Sequence, residues 1–321
     1  MLRNRVFAKP KQHDSTKWKS TMKNRVSIIM RCKNSDWVIG EALSALFSQE
    51  YTDFELVVVD SGSTDRTLEF VSHYPCRLIE IEPGDYYPGK VLNDAIATCD
   101  SDIIVFLNSD SVMLAPDSLS KLIDAFDDPS VSAAFGRQLP RPEAESWVRR
   151  DYAVSFPENA EDIPDWITMS LPLAAMRKTT FEQHHFYTEA WASEDTEWGN
   201  WAREAGHTVQ YVPQARTMHS HNYTLKEIYG RRFVEGEADA FIYQKQPSFA
   251  KQCLATVRCC AQDMVFFIKE RDWKSIPSIF PRRAVYQWAY LKGLQLGAKR
   301  RQTKTADASI GQAIVLNSVG S

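Results

Sequence analysis

The chain has 321 residues, of which 44% are hydrophobic and 25% charged, and its formal net charge is -3 at pH 7. These proportions are typical of a soluble globular protein, and one large α/β unit with a small appendage accounts for the length. The slightly acidic balance argues against nucleic acid as the main partner.

The first 25 residues are basic and show little apolar periodicity. They carry eight lysines and arginines against a single acid, Asp14. The stretch holds no apolar run long enough for a signal peptide. We predict that residues 1–25 form a flexible basic arm, either solvated or in contact with anionic lipid.

The six cysteines form no CxxC pair, and their spacing suggests neither a disulfide framework nor a zinc site. No uninterrupted apolar stretch reaches the length of a membrane span. We therefore predict reduced cysteines and a cytoplasmic protein, with peripheral contact at the inner face of the membrane as a further option.

Strand-like and helix-like segments alternate in the first half of the chain. Buried strands are predicted at residues 26–30, 54–59, 77–81 and 103–107, and helices at 38–47, 64–73 and 91–96. This alternation predicts βαβ units and a parallel sheet.

Polar clusters at residues 31–34, 60–65 and 108–110 follow three of these strands. Right-handed crossovers bring the carboxyl ends of parallel strands to one edge, where open α/β sheets bind their ligands. The three clusters are therefore expected at a common site.

The second half is less regular, with a helix predicted at 196–205, closed by Gly206, and a strand at 209–212. From 224 onward the pattern is helical and mixes aromatic with basic residues. This region is either an amphipathic surface that lies on a membrane or a helical lid on a catalytic domain. From about residue 299 the chain is polar and small, which predicts disorder.

An aspartate directly after a buried strand, Asp60, can accept hydrogen bonds from the N–H of a nucleobase. Ser61 follows it, and Gly62 allows a tight turn and a close approach of the backbone to a ligand. Such an aspartate is as often a turn or helix cap, and both interpretations stay open.

The tripeptide Asn108-Ser109-Asp110 also follows a buried strand. A carboxylate in this position can hold Mg²⁺ or Mn²⁺, which would neutralise the charge of a leaving diphosphate. The alternative is a loop-capping aspartate.

Two further clusters lie in the second half. Glu194 and Asp195 precede a predicted helix, whose positive dipole end favours ionised carboxylates, and a carboxylate in a cleft can act as a general base. His219 and His221 point the same way if they lie on a strand, and one of them can complete a metal site with Asp110. Ordinary first-turn acids and a structural histidine pair are the alternatives.

In this order, the segments RCKN, VVVDSGSTD, FLNSD, SEDTEW and HSHNY resemble glycosyltransferase family 2 over roughly residues 26–236. The segments GRQLPRP and HSHNY look like its rhamnosyltransferase-type members, which build surface polysaccharides. The resemblance implies a GT-A fold, an α/β nucleotide-binding sheet flanked by helices, here with a helical C-terminal region. The predicted bounds are 1–25 for the arm, 26–223 for the GT-A domain, 224–298 for the helical region and 299–321 for the tail.

The resemblance also implies roles for individual residues. Asp60 would contact the nucleobase, Asp110 would be the remaining carboxylate of the DxD metal motif, Asp195 the general base, and His219 a further metal or diphosphate ligand. Asn108 stands at the first DxD position, so the site has one charge fewer. The remaining residues of the nucleotide-sugar site would be Arg31, Asn34, Ser61, Gly62, Asp65, Asn93, Asn108, Ser109 and Glu194.

The implied activity is metal-dependent, inverting transfer of a sugar from a nucleotide diphosphate donor, dTDP-rhamnose or a UDP-sugar, to a hydroxyl of a glycan or lipid-linked acceptor. Two alternatives remain: a sugar nucleotidylyltransferase on a similar sheet, and a non-catalytic carbohydrate-binding protein. The first would need a basic, glycine-rich triphosphate loop, which residues 31–34 do not supply. The second would bind glycan without nucleotide.

Overall fold

The computed structural model describes residues 3–7, 26–303, 310–311 and 313–314. Nine strands in this part form one mixed sheet in the spatial order β1-β4-β3-β2-β5-β8-β7-β9-β6. The strands are β1 (Arg3–Phe7), β2 (Val26–Cys32), β3 (Phe54–Asp60), β4 (Cys76–Glu80), β5 (Ile103–Leu107), β6 (Val112–Met113), β7 (Val131–Leu139), β8 (Leu173–Arg177) and β9 (Thr208–Met218).

The α-helices of the same residues connect these strands and build the C-terminal region. They are α1 (Ile39–Phe47), α2 (Thr67–Ser72), α3 (Pro88–Ile96), α4 (Ser118–Asp124), α5 (Ser146–Ser155), α6 (Lys178–Phe181), α7 (Glu194–Glu204), α8 (Leu225–Ile242), α9 (Phe249–Lys269) and α10 (Ile279–Gln302).

The parallel core of the sheet consists of β4, β3, β2 and β5. Its central strands are largely apolar and covered on both faces, as parallel strands normally are. In α1 the buried residues Ile39, Ala42, Leu43 and Leu46 recur at helical spacing and pack in the core of the sheet. The predicted alternation of strands and helices is confirmed.

Several predicted bounds differ from the structure. Helix α2 begins at Thr67 and not at residue 64, because the Asp65 carboxylate accepts a hydrogen bond from the Thr67 N–H and residues 64–66 form the preceding turn. Strand β9 extends to Met218, whereas the sequence predicts an end at residue 212, before Pro213. Strands β7 and β8 were not predicted at all.

The structure forms two compact units. The first comprises Met1–Leu139, Ser155–Phe186 and Trp198–His219, and the second comprises Pro140–Val154, Tyr187–Glu197 and Ser220–Ser321. The sequence-based bounds of 26–223 and 224–298 stay a prediction.

Both predicted termini contain some regular structure. β1 pairs antiparallel with β4, so residues 3–7 form a sheet edge where a flexible arm was predicted; the rest of that arm lies outside the described residues. α10 continues past 299 to Gln302, because Arg300 makes a 2.7 Å ion pair with Glu237 of α8 and both side chains are buried. The predicted tail beyond residue 303 is described only at 310–311 and 313–314.

All six cysteines are free. Across the parts of the chain that the structure describes, no helix combines the length and the apolar character needed to span a bilayer.

Candidate functional site

Hydrogen bonds join the three polar clusters at the carboxyl edge of the sheet. The Cys32 position pairs with Asp60 in the parallel ladder of β2 and β3. Just beyond these strands, the Asn34 Oδ1 accepts from the Thr64 N–H at 2.8 Å, and the hydroxyls of Ser35 and Ser109 are 2.9 Å apart. The structure therefore brings the clusters at 31–34, 60–65 and 108–110 together, as the parallel topology predicts.

Asp60 is 2% exposed and closes the turn that follows β3. Its Oδ2 accepts hydrogen bonds from the N–H groups of Gly62 at 3.0 Å and Ser63 at 2.9 Å, and its Oδ1 accepts from the Ser63 hydroxyl. The structure thus shows the turn-capping role. Contact with a nucleobase stays a prediction.

Gly62 has a φ of 80°, and a Cβ there would lie 2.6 Å from Pro83 Cγ, so the turn requires glycine for both its conformation and its space. The neighbouring Ser61 N–H donates to the Cys32 carbonyl at 3.1 Å. These contacts fix the turn against β2.

The Cys32 thiol is the buried neighbour of Asp60. Burial, together with the charge and hydrogen bond of Asp60, raises the pKa of this thiol well above its usual range. The neutral thiol donates to Asp60 Oδ1 at 3.5 Å, a weak bond typical of sulfur. Cys32 therefore supports the carboxylate, and its buried neutral thiol has little of the thiolate character that a nucleophile needs.

Asp65 links two loops at this edge. Its carboxylate accepts from the N–H groups of Asp36 at 3.0 Å and Thr67 at 2.9 Å. Burial acts to raise the pKa of Asp65, but the hydrogen bonds from Thr67 and Asp36 outweigh it and lower the pKa. Asp65 thus stays ionised and stabilises the loops around the site.

Asn93 was predicted to line the nucleotide pocket, and in the structure its side chain clamps a backbone segment. Its Nδ2 donates to the Phe186 carbonyl at 2.9 Å, and its Oδ1 accepts from the Phe186 N–H at 3.0 Å. The Phe186 ring packs at 5.6 Å from Phe106, on β5. Its observed role is to anchor this segment to α3, and its contact with nucleotide stays a prediction.

Asp110 and His219 lie 109 residues apart in sequence and come together through β6, which pairs with the end of β9. The distance between Asp110 Oδ1 and His219 Nε2 is 3.6 Å. The His219 N–H also donates to the Leu139 carbonyl at 3.0 Å, which continues the ladder of β7 and β9. The backbone thus fixes the position of this imidazole.

Gln138 orients the His219 ring. Its Oε1 is 2.9 Å from His219 Nδ1, and its Nε2 donates to the Ser170 hydroxyl at 2.7 Å. Because a carbonyl oxygen only accepts, Nδ1 carries a proton, and in the neutral ring the lone pair lies on Nε2, the atom 3.6 Å from the Asp110 carboxylate oxygen. A lone pair and a carboxylate oxygen facing each other at this distance suit a shared cation, and a histidine ligand oriented through its other nitrogen is the usual arrangement at metal sites.

The second imidazole of the predicted pair, His221, follows two residues later and belongs to the second unit. Its ring stacks on Tyr223 with centroids 5.1 Å apart. Asn108 and Ser109 lie in the turn before Asp110, where the Asn108 carbonyl accepts from the Ser111 N–H at 3.0 Å.

Glu194 and Asp195 form the first turn of α7, which begins two residues earlier than predicted. The residue before it, Ser193, has a φ of 70°, a left-handed conformation that is uncommon outside glycine. The Asp195 Oδ1 accepts from the Thr196 N–H at 2.7 Å. Both carboxylates lie at the positive end of the helix dipole.

Sequence reasoning did not assign Gln138, Ser35 or Ser63 to the site. Gln138 carries a usable signal, since a glutamine that is buried in a strand needs a polar partner. Ser35 and Ser63 sit within polar loops, where a serine has no distinguishing pattern.

Comparison with known proteins gives one family and several relatives. The family model described as glycosyl transferase family 2 matches residues 27–192, just over half of the chain. The O-antigen chain rhamnosyltransferase RfbN of Salmonella typhimurium is 28% identical over 285 residues, which cover 85% of this chain and 89% of the relative. The O-antigen chain rhamnosyltransferase WbaN of Salmonella anatum is 28% identical over 269 residues, covering 80% and 84%.

Solved structures share the fold at lower identity. The mannosyltransferase PcManGT from Pyrobaculum calidifontis, in complex with GDP-Man and Mn²⁺, has a TM-score of 0.56 at 19% identity and covers 94% of this chain and 88% of its own. Residues 1–349 of S. aureus TarS in complex with UDP give a TM-score of 0.51 at 18% identity, covering 87% and 92%. The predicted fold class, a GT-A sheet flanked by helices with a helical C-terminal region, is confirmed.

Proposed function

The chain belongs to glycosyl transferase family 2, and from this premise we propose that it moves a sugar from a nucleotide diphosphate donor to a hydroxyl of a growing surface glycan, with inversion at the anomeric carbon. dTDP-rhamnose is the first donor to test and UDP-sugars are the second. Two relatives that match over most of this chain bear the name of O-antigen chain rhamnosyltransferases, which supports rhamnose as the sugar and a polysaccharide or its lipid-linked precursor as the acceptor.

The observation that carries the proposal is the Asp110–His219 pair, with its imidazole oriented by Gln138. We propose that Asp110 and His219 hold a divalent cation. The cation would neutralise charge on the departing diphosphate. Mn²⁺ suits a site with imidazole better than Mg²⁺, which prefers oxygen ligands.

We assign the general base to Asp195. Its carboxylate takes the proton of the acceptor hydroxyl while that oxygen bonds to the anomeric carbon and the bond to the diphosphate oxygen breaks. The nucleoside diphosphate leaves with the electron pair of the broken bond. Attack from the side opposite to the leaving group inverts the configuration.

The remaining site residues bind and position the donor. We propose that the base and ribose are held at the edge formed by Arg31, Asn34, the Asp60–Gly62 turn and Asp65, with Asn93 supporting it. The hydrogen bonds among these loops support a preorganised pocket, which lowers the entropic cost of binding. Asn108, Ser109 and Glu194 are assigned to the diphosphate and sugar.

Thermal unfolding with dTDP-, UDP- and GDP-sugars, each with and without Mn²⁺, tests donor and metal together. A ligand at about 100 times its dissociation constant adds roughly 2.7 kcal/mol to the stability of the native state. We expect one nucleotide to raise the midpoint, Mn²⁺ to enlarge the shift, and Asp110→Asn to remove the enlargement. Asp117→Asn is the matched control, since Asp117, the residue before α4, is paired with Lys121 at 2.7 Å on the surface.

If no nucleotide raised the midpoint of thermal unfolding, the proposed donor site would be wrong and a glycan-binding protein would be favoured. Release of pyrophosphate from a nucleoside triphosphate and a sugar phosphate would instead identify a nucleotidylyltransferase.

Testing Asp195 as the general base requires a measurement of turnover. Asp195→Asn should lower kcat by roughly 10²–10⁴-fold, the usual worth of general base catalysis, and leave donor affinity unchanged. Glu197→Gln, in the same helical turn, is the control and should retain activity. Unchanged turnover of Asp195→Asn would exclude it as the base, and retention of the donor's anomeric configuration in the product, read by NMR, would exclude inversion.

A further inference from the structure

Helix α9 exposes a stripe of apolar side chains that the proposed reaction does not use. Leu254 is 72% exposed and Val257 67% exposed. The members recur every three or four residues and span about 21 Å of helix. The apolar stripe of α9 consists of Leu254, Val257, Ala261, Met264, Val265 and Ile268.

The opposite side of α9 is anchored in the second unit. Asp263 and Phe267 are buried, and the Asp263 carboxylate accepts from Arg283 of α10 at 2.6 Å and pairs with Arg150 of α5 at 3.3 Å. A rotation of α9 that turned the stripe towards the protein would pull Asp263 away from its two arginine partners. Separating such buried charges is strongly unfavourable. The stripe is therefore a fixed outward face of the unit.

A row of cations borders the stripe. Lys251, Arg258 and Lys269 are exposed and lie seven and eleven residues apart, close to two and three turns, so they occupy one side of the helix. Asp263 is the only acid within α9, and it points inward. The exposed face of this helix is thus apolar along its middle and positive along one edge.

The residues that directly follow α9 in the chain also combine an exposed aromatic side chain with cations. Trp273 is 60% exposed, and tryptophan favours the boundary between a bilayer and water. Arg271 and Lys274 flank it, against Glu270 and Asp272, and the Asp272 carboxylate accepts from the Ser146 hydroxyl.

We propose that the apolar stripe of α9 docks on the surface of an anionic lipid bilayer, with the helix axis parallel to the membrane plane. An apolar face bordered by lysine and arginine is the composition of interfacial helices, whose apolar side enters the headgroup boundary while the cations contact anionic lipid. This inference stands independently of the proposed reaction.

The charge pattern argues against a second copy of the chain as the occupant. A two-fold contact through the stripe would use the same surface on both copies. In the antiparallel arrangement it would place the row of Lys251, Arg258 and Lys269 near its own duplicate, where like charges repel. An anionic surface gives attraction instead.

Co-sedimentation of the full chain with vesicles tests the docking. We expect binding to phosphatidylcholine vesicles with 30 mol% phosphatidylglycerol and much weaker binding to pure phosphatidylcholine. Val257→Glu combined with Ile268→Glu should raise the lipid concentration for half-binding at least tenfold. Each of Lys251→Gln, Arg258→Gln and Lys269→Gln should raise it roughly fivefold, the usual worth of one cation near an anionic surface.

Val154→Glu is the matched control, because Val154 is another exposed valine of the second unit, on α5. It should leave vesicle binding unchanged, and an unchanged thermal midpoint should show that every variant is folded. Equal binding by wild type and the double glutamate variant would overturn the proposal, as would failure of the wild type to bind anionic vesicles. A dimer in sedimentation velocity that the double variant dissociates would identify a second copy as the occupant.

Discussion

Replacing Gln138 with leucine should weaken Mn²⁺ binding while leaving the chain folded. The substitution removes the acceptor of His219 Nδ1–H and the donor to the Ser170 hydroxyl. Each polar group left without a partner costs about 1–3 kcal/mol, within the 5–15 kcal/mol that typically stabilises a protein of this kind. The native state should therefore persist with a lower thermal midpoint.

The effect on the metal follows from the imidazole tautomer. Without Gln138 the ring of His219 can rotate and can carry its proton on Nε2, the atom that lies 3.6 Å from the Asp110 carboxylate. Loss of such an outer partner usually weakens metal binding 10–100-fold. This corresponds to about 1.4–2.7 kcal/mol. Gln138→Glu should restore or strengthen binding, because a carboxylate on Nδ1–H makes Nε2 a better ligand.

The loss of the free Mn²⁺ signal in electron paramagnetic resonance, with and without nucleoside diphosphate, measures the affinity directly. Gln49→Leu is the matched control, since this buried glutamine donates to the carbonyls of Ala45 at 3.1 Å and Ala115 at 2.9 Å. It should reduce stability to a similar degree and leave Mn²⁺ affinity unchanged. Equal affinity of folded Gln138→Leu and wild type would refute the idea that His219 is a ligand oriented by Gln138.

Further predictions concern packing, buried charge and thiol reactivity. Gly293→Ala should destabilise the native state by at least about 2 kcal/mol despite the better helix propensity of alanine, because the added Cβ would lie 2.0 Å from the Phe233 carbonyl oxygen. Denaturant unfolding measures this change, and equal stability of the variant and the wild type would contradict it. Asp263→Ala should cost about 3–5 kcal/mol by leaving its arginine partners buried without their acceptor, and a smaller loss in the same assay would show that solvent reaches them. Burial raises the pKa of Cys76 to about 11, so at pH 8 only about a thousandth of this thiol is ionised. Mass spectrometry after alkylation of the native chain should therefore find the exposed Cys253 modified, and Cys76 modified only after unfolding.

The parallel half of the sheet is predictable because its signals are local. The apolar runs of β2, β3 and β5 are each buried on both faces, and α1 has one buried face at helical spacing. Parallel strands bring their carboxyl ends to one edge, so the clusters around Asn34, Asp60 and Ser109 could be predicted to meet without knowledge of any side-chain contact.

Boundaries within that half depend on individual side chains. The predicted helix at residue 64 follows the apolar spacing alone, but the carboxylate of Asp65 competes for the first backbone donors and delays α2 to Thr67. The role of Asn93 is likewise set by contacts that the local sequence does not contain. An asparagine on the polar side of a helix suits a ligand contact, whereas the hydrogen bonds that it makes to Phe186 join positions 93 residues apart.

The Asp110–His219 pair depends on a register that no local pattern contains. In the parallel ladder of β7 and β9, Gly136 pairs with Val212, but the next residue of β7 pairs with Arg216, so β9 bulges by three residues that begin with Pro213. Proline has no N–H for the ladder, which makes a strand appear to end at residue 212 and explains the short prediction.

The strand resumes after the bulge and places His219 beside Gln138. At Gly136 a Cβ would lie 2.4 Å from the Ala215 carbonyl oxygen, so the bulge can pack against β7 only because residue 136 has no side chain. A shift by one residue would turn alternate side chains to the other face and separate the imidazole from both Gln138 and Asp110. The HSH segment therefore indicates ligands, but the pairing that makes His219 suitable for a cation is set by a glycine and a proline that carry no chemistry themselves.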